Sequence, residues 1–213
     1  MEVFRQTDVS GNTTVESRIY HMKNIIYSFF FLMILNICSG QNSKSFYFEN
    51  FKWKINLSEN YRITSDEEAS NLKAKGKESI EKATGKKIND DGTVSILKFQ
   101  DDKNNFFYSA YSPYNEAING DYSKGCKTGY DILYNTVKTK FPDIQIDQII
   151  KTEKVGSLDF EVYKLDAFLP NLTFHQIMYT RLFENKAFVV TIVFTDEKAG
   201  EEILELWKKS SFE

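Results

Sequence analysis

The sequence predicts an α+β fold, in which a twisted, mostly antiparallel sheet of about six or seven strands carries three helices as an α/β/α sandwich. From residue 144 to 195, strand-like segments follow one another with only short breaks between them, and breaks of that length connect antiparallel strands. Three further segments repeat apolar residues at three- and four-residue spacing, which is typical of amphipathic helices. Residues 188–194 are apolar on both faces apart from Thr191. This strand therefore belongs in the middle of a sheet that is covered on both sides.

The predicted domain opens with an aromatic strand, residues 46–57, in which apolar and polar side chains alternate. The apolar side chains on its buried face are Phe51, Trp53, Ile55 and Leu57. Residues 61–64 predict a short second strand. A helix begins after Ser65, because Glu68 stands three residues later and completes a capping box, and Gly85 is its expected end. The apolar stripe of this helix consists of Ala69, Leu72, Gly76, Ile80 and Ala83.

A hairpin and a second helix follow. After a turn at residues 89–92, residues 94–100 and 106–111 predict two strands, and the short polar segment between them is typical of a hairpin. The second helix runs over residues 122–140 and ends before Pro142, since the residue preceding a proline disfavours the helical conformation. Its apolar stripe consists of Tyr122, Cys126, Tyr130, Leu133, Val137 and Phe141.

Four strands and a last helix complete the predicted fold. The strands cover residues 144–154, 158–168, 172–183 and 187–195. The breaks between them are Gly156, Pro170-Asn171 and Glu184-Asn185-Lys186. Asp196-Glu197 opens the final helix, because acidic residues are favoured at a helix N-terminus. One face of this helix holds Ala199, Ile203, Leu206, Trp207 and Ser210.

Residues 22–40 have the layout of a secretory signal peptide: a methionine, one lysine, an apolar run and small residues at the end. The apolar run, residues 25–37, is shorter than the roughly 20 residues that a membrane-spanning helix needs. We expect cleavage between Gly40 and Gln41, which leaves residues 41–213 as a single globular domain.

Two alternatives to this cleavage stay open. Residues 35–38 resemble a bacterial lipobox with Cys38 as the lipidated residue, although Ile37 stands where such motifs have Gly, Ala or Ser. The other alternative is an uncleaved anchor. Residues 1–21 are polar and lack periodicity. They are interpreted as a gene-model extension, with Met22 as the true start, or as a disordered leader.

Charge and cysteine content exclude several classes of protein. The chain has 27 basic and 30 acidic residues, a net charge of −3 at neutral pH. This balance gives no electrostatic reason to expect nucleic acid or an anionic membrane as a partner. After cleavage only Cys126 remains, so no intramolecular disulfide can form and stability must come from packing.

No catalytic, cofactor or metal motif stands out, and we predict a protein that is not an enzyme and carries no cofactor. His175 is the only histidine of the predicted domain and is interpreted as a sheet-surface residue hydrogen-bonded to a neighbour. Cys126 lies on an apolar helix stripe, which predicts a buried and inert thiol. Gly120, Gly125 and Gly129 lack the Lys-Ser/Thr that closes a phosphate-binding loop. The pairs Asp90-Asp91 and Asp101-Asp102 do not follow the ligand spacing of a calcium loop.

The feature with the most functional character is aromatic. The chain has 18 Phe and 12 Tyr residues, and they concentrate in residues 106–122. The residues predicted to line a groove for a protein partner are Tyr108, Tyr111, Tyr114 and Tyr122. Tyrosine suits such a groove because its ring is apolar and its hydroxyl can remain wet. The alternative is that these rings fill a core without disulfides.

The order of these elements resembles the Mog1/PsbP-like superfamily. The similar features are the aromatic opening strand (residues 51–55) with its short return (residues 61–63), the long meandering strands and the apolar strand after residues 184–186. A final helix closing on Ser211-Phe212 completes the resemblance, which covers residues 46–212. The resemblance implies a non-catalytic protein that binds a partner or helps a complex assemble. It supplies no catalytic residues to transfer, and fold alone does not fix function.

We therefore expect an exported, non-enzymatic protein of the bacterial envelope, periplasm or secreted fraction that binds a protein partner or aids assembly. One alternative is a carrier of a small ligand in a pocket between sheet and helix. A second is a lipid-anchored form of the same domain. A third is an enzyme whose carboxylate or tyrosine site the sequence hides.

Overall fold

Among the described residues, seven antiparallel strands form the main sheet of this protein. The computed structural model describes residues 43–85, 87, 92–103 and 105–213, apart from the side chains of Leu72 and Thr84. The strands in spatial order are β3 (Arg62–Ile63), β4 (Val94–Gln100), β5 (Phe106–Pro113), β9 (Lys186–Phe194), β8 (Leu172–Phe183), β7 (Leu158–Leu169) and β6 (Gln145–Val155). The apolar strand β9 lies at the centre of this order. The predicted position of residues 188–194 is therefore confirmed.

The opening aromatic segment is a hairpin, and its prediction as one strand over residues 46–57 was wrong. β1 (Ser43–Phe48) and β2 (Trp53–Ser58) pair antiparallel, and β10 (Ser211–Phe212) adds to the other side of β2, which gives a separate three-stranded sheet. A 3₁₀ turn, Glu49–Phe51, separates β1 from β2, and Lys52 follows it with a φ of 47°. The alternation hides this turn because Phe51 is buried in the same core as the strand residues after it.

Three long helices and one short helix accompany the sheets among the described residues. They are α1 (Asp66–Thr84), α2 (Glu116–Asn119), α3 (Tyr122–Lys140) and α4 (Glu197–Lys208). The capping box of α1 is confirmed, since the Glu68 backbone N–H donates to Ser65 Oγ and the Ser65 N–H donates to the Glu68 carboxylate, each at 3.2 Å. The short helix α2 was not predicted. Asn115 caps it, and Gly120 follows it with a φ of 80°.

The two faces of the main sheet are covered differently. The face that we call the aromatic face lies under α4 and the three-stranded sheet, and its large core includes Trp53, Phe107, Phe160, Phe188 and Trp207. The opposite face, which we call the groove face, lies under α3, with a smaller core of Tyr130, Tyr163, Leu165 and Ala167. Helices thus cover both faces, as predicted.

Helix α1 packs mainly against α3 and is largely exposed. Its predicted apolar stripe is only partly buried: Ala69 is buried, Ile80 and Ala83 are half-buried, and Gly76 is exposed. Because α1 rests on another helix, it leaves part of the groove face open beneath it.

Gly200 sets the distance between α4 and the main sheet. A Cβ placed there would overlap the ring of Phe194 on β9. Helix α4 can lie this close to β9 only because Gly200 has no side chain. Phe194 in turn stacks on His175, with ring centroids 4.6 Å apart.

We expect Gly200→Ala to destabilise the protein by about 1–2 kcal/mol, because overpacking costs about 1–3 kcal/mol and outweighs the gain in helix propensity. Gly76→Ala is the matched control: a Cβ there meets nothing within 4 Å, so we expect about 0.5–1 kcal/mol of stabilisation. Urea unfolding of both variants measures the difference. Equal shifts in both would show that α4 does not depend on close approach at Gly200.

Candidate functional site

A groove of about 620 Å³ lies between the groove face of the main sheet and helices α1 and α3. We call it the α1–α3 groove. The side chains that line it are largely apolar or aromatic and include Ile80, Tyr114, Tyr122, Cys126, Tyr130, Leu133, Met178 and Thr180. Its volume lies within the range of roughly 300–1,000 Å³ that is usual for ligand sites.

Two glycines on α3 keep the groove open. Gly125 and Gly129 both line it, four residues apart on one face of the helix. A Cβ at Gly129 would meet nothing within 4 Å, and one at Gly125 would lie 3.7 Å from the Tyr114 hydroxyl. Both glycines lie within the predicted second helix, residues 122–140, and no role was predicted for them there. Because glycine has no side chain, two glycines within a helical stripe of Tyr and Leu indicate a hollow along that helix.

The start of α3 positions the entrance of the groove. Asp121 caps the helix, its carboxylate accepting a 2.7 Å hydrogen bond from the Lys124 backbone N–H. Tyr122 follows at the first helical position and meets Tyr114 edge to face, with ring centroids 5.3 Å apart. The Tyr114 hydroxyl donates to the Gly120 carbonyl at 2.8 Å, which ties the end of β5 to the turn before α3.

The structure brings together two of the four tyrosines that were predicted to share a groove. Tyr114 and Tyr122 line it. Tyr108 does not line it, and its hydroxyl lies 3.0 Å from Ser95 Oγ. Tyr111 belongs to the aromatic face, where its ring meets Phe51 edge to face at 5.4 Å. Strand alternation places Tyr111 on the opposite face of the sheet from Tyr108, since positions 108 and 111 of β5 have opposite parity. A partner-binding role for the tyrosines stays a prediction.

One end of the groove is polar. The Tyr130 hydroxyl lies 2.9 Å from Thr180 Oγ1 and 3.0 Å from Glu161 Oε1. Its ring stacks on Tyr163 with centroids 4.4 Å apart and planes 5° from parallel. Thr180 and Met178, which both line the groove from β8, were missed by sequence reasoning. The alternation of β8 places them on one face but does not show what covers that face.

The side chains that line the groove are uncharged at neutral pH. Burial is the main cause that raises the pKa of Tyr122 and of Tyr130, which moves their ionisation further from neutral pH. Burial also raises the pKa of the free thiol of Cys126, which is half-buried. The hydroxyls and the thiol therefore remain protonated and can exchange hydrogen bonds without carrying charge.

His175 is buried, and its prediction as a sheet-surface residue was wrong. It is 7% exposed because Phe194 stacks over it. Its Nδ1 lies 2.6 Å from Asp166 on β7, which is the predicted hydrogen bond to a neighbour, and Asp166 also pairs with Lys164 at 2.9 Å. Within the described part of the chain, Nε2 is buried without a hydrogen-bond partner. This geometry is that of a packed histidine held by one carboxylate.

Three of the predicted features lie on residues that the structure does not describe. The cleavage site at Gly40 and Gln41, the alternative lipidation site Cys38 and the turn at residues 89–91 lie outside the described residues. Across the described ranges, no group of three or more His, Cys, Asp or Glu side chains is placed to hold a metal ion. No helix in the same ranges is long and apolar enough to cross a membrane.

The buried tyrosines predict a loss of stability in alkali. Tyr130, Tyr163 and Tyr179 are at most 2% exposed, and burial raises the pKa of each, that of Tyr163 to about 12. Tyrosines in the unfolded chain ionise near pH 10. Stability is therefore complete below about pH 10 and falls above it, by about 1.4 kcal/mol per pH unit for each tyrosine, until the folded pKa is reached.

Urea unfolding at a series of pH values measures this slope, with Tyr163→Phe as the control. The variant should lose about 1.4 kcal/mol per pH unit less than the wild type between roughly pH 10 and 12. Parallel pH profiles for the two proteins would contradict the assignment of Tyr163.

Cys126 should react slowly with alkylating reagents, because the thiolate is the nucleophile and burial raises the pKa of this thiol. We expect iodoacetamide at neutral pH to modify it at least about tenfold more slowly than a cysteine introduced by Ile118→Cys. Ile118 is 81% exposed and serves as the reference position. Peptide mass mapping reads both sites in one sample, and equal rates would contradict a half-buried, protonated thiol.

Comparison with known proteins supports the fold. No family model matches the sequence, and no curated protein matches it either. Among solved structures, the chain is similar to the solution structure of cyanobacterial PsbP (CyanoP) from Synechocystis sp. PCC 6803. The two are 6% identical in sequence, the match covers 83% of this chain and 97% of that chain, and the TM-score is 0.51. The resemblance to the Mog1/PsbP-like superfamily is confirmed at the level of the fold, and this chain has a PsbP-like α+β fold.

Proposed function

We propose that this protein is an exported, non-enzymatic binding protein that holds an apolar segment of a protein partner in the α1–α3 groove. The observation that carries the proposal is the groove itself: an open hollow lined largely by apolar and uncharged aromatic side chains. Apolar surface that stays open in a folded domain is a frequent sign of an interaction site.

The chemistry of the groove suits an apolar peptide segment with a few backbone N–H and C=O groups that need hydrogen bonds. Leu133, Met178 and Ile80 offer apolar contact. Tyr122, Tyr130 and Thr180 offer hydroxyls that are neutral at physiological pH. A charged ligand would lose its hydration there without gaining an opposite charge.

A non-enzymatic role fits the state of the reactive groups. The Cys126 thiol is kept protonated by burial, which disfavours nucleophilic attack. His175, the histidine of the predicted domain, is covered by Phe194 and held by Asp166. The non-catalytic character implied by the Mog1/PsbP-like resemblance agrees with this proposal, although a shared fold does not by itself fix a function.

A second candidate is a carrier of a small apolar ligand. The volume of about 620 Å³ favours it, since cavities of this size bury most of a small molecule. Native mass spectrometry of protein purified from the source cells separates the two candidates. A bound mass of a few hundred daltons would support the carrier, and a chain without one would support the protein partner.

The proposal of an open groove can be tested by filling it. We expect Gly129→Leu to abolish capture of the partner from an envelope extract, because the new side chain enters the groove from a position where Cβ meets nothing. Gly76→Leu is the matched control: it is also an exposed helical glycine with open space at Cβ, and it does not line the groove. Capture that persists in Gly129→Leu would contradict the proposed site.

Export is a separate part of the proposal and rests on residues 22–40. Intact mass and N-terminal sequencing of the protein from fractionated source cells test it. We expect a soluble chain that begins at Gln41. A chain with an acylated Cys38 would instead identify the lipid-anchored alternative, and a cytoplasmic chain that begins at Met1 would contradict export.

A further inference from the structure

We infer that two copies of this chain pair through the edge of β6 that no other described strand covers, antiparallel and in a register centred on Ile149. This inference is independent of the α1–α3 groove, because β6 contributes no residue to that groove.

Strand β6 is an unusual edge. It is 11 residues long and lies at the end of the main sheet, with β7 as its neighbour on one side. The typical strand has about 5–6 residues, and exposed edges are commonly shortened, bulged, interrupted by proline or protected by charged side chains, lysine above all. β6 has only the last of these features: its pairing with β7 is continuous from Gln145 to Val155, it contains no proline, and its charged residues include Lys151 and Lys154.

The middle of this edge is apolar on both faces. Ile149 is 53% exposed and Ile150 is 49% exposed, although they are neighbours in the strand and face opposite sides of the sheet. A long edge with unpaired backbone groups and apolar side chains at its centre is a template for another strand. The neighbouring charges decide which strand it fits.

The two faces of β6 are fixed by contacts to the rest of the sheet. Tyr179 on the aromatic face donates to Glu153 at 2.8 Å, so odd-numbered residues of β6 share that face. Tyr163 on the groove face donates to Gln148 at 3.1 Å, so even-numbered residues share the other. A two-fold axis perpendicular to the sheet keeps each face continuous across the dimer and places residues of equal parity opposite each other.

Three such registers give long overlaps, and charge distinguishes them. Centring on Ile150 would place Asp147 opposite Glu153 of the second copy, and like charges directly opposite are destabilising. Centring on Lys151 would place that lysine opposite itself. Centring on Ile149 places Asp147 opposite Lys151 on both sides of the axis and Ile149 against its own copy. Only this third register is complementary in both charge and apolar contact.

The side chains are free to make these pairs. Lys151 is half exposed and contacts Glu153 at 2.6 Å within its own chain. Glu153 also accepts from Tyr179 at 2.8 Å and pairs with Lys208 at 3.3 Å. Lys151 can therefore turn to Asp147 of a second copy without leaving Glu153 unpaired. Asp147 is exposed and accepts from the Gln145 side chain at 3.2 Å.

Charge reversal tests both the dimer and its register. Sedimentation velocity is measured on the protein and its variants, each purified from source cells with the N-terminus found there. We expect a reversible dimer for the wild type. Asp147→Lys and Lys151→Asp should each raise the dimer dissociation constant by about tenfold or more, because each change creates like-charge pairs on both sides of the axis. The double variant restores opposite charges and should return to within about threefold of the wild type.

Lys154→Asp is the matched control for Lys151→Asp. It is the same charge change on the same strand, but Lys154 lies beyond the paired span 145–153 and should leave the dissociation constant unchanged. Circular dichroism checks that each variant is folded. If one single variant fails to fold, the other carries the same test, since either change alone removes the pairing.

Three results would overturn the inference. A wild-type protein that stays monomeric at about 100 µM would exclude a second copy as the occupant of this edge. The inference would also be overturned if a different protein adds a strand there, since the wild type would then stay monomeric. A dimer that survives both single charge reversals would place the interface elsewhere. A double variant that dissociates as readily as the single variants would contradict the register centred on Ile149.

Discussion

The packing of Trp53 and Trp207 holds the separate parts of this protein together. The two rings meet edge to face with centroids 5.7 Å apart, and both are fully buried. Trp53 also contacts Phe188 of the main sheet at 5.7 Å, and Trp207 contacts Phe160 at 5.4 Å. Neither indole N–H has a hydrogen-bond partner among the described residues. Burial of aromatic surface must therefore outweigh the cost of about 1–3 kcal/mol for each unpaired donor.

This packing divides the protein into a sealed face and an open face. Gly200 lets α4 lie close to the sheet, and the three-stranded sheet closes the rest of the aromatic face. On the groove face, α3 covers only part of the sheet, and α1 rests on α3. The glycines of α3 widen the remaining space. The larger core and the α1–α3 groove thus lie on opposite sides of one sheet, so the proposed binding site can stay incompletely packed without opening that core.

The sequence predicted most of the fold because the strands and helices have clear periods. The long strands β6 to β9 and the stripe of α3 follow directly from alternation and helical spacing. The turn after Phe48 was missed because Phe51 continues the aromatic alternation while the backbone reverses. The candidate site was only half predictable: Tyr114 and Tyr122 were identified, but the contributions of Gly129 and Thr180 depend on which helix covers which strands. That information lies in tertiary packing and not in local pattern.

The central claim is that apolar ligands enter the α1–α3 groove and are excluded from the aromatic face. Titration of the protein with the uncharged apolar dye N-phenyl-1-naphthylamine, followed by NMR, tests it most directly. The methyl signal of Met178 reports on the groove, and the indole N–H signals of Trp53 and Trp207 report on the sealed core. We predict saturable shifts of the Met178 signal with both indole signals unchanged. Shifts of the indole signals, or a Met178 signal that does not respond, would contradict this account.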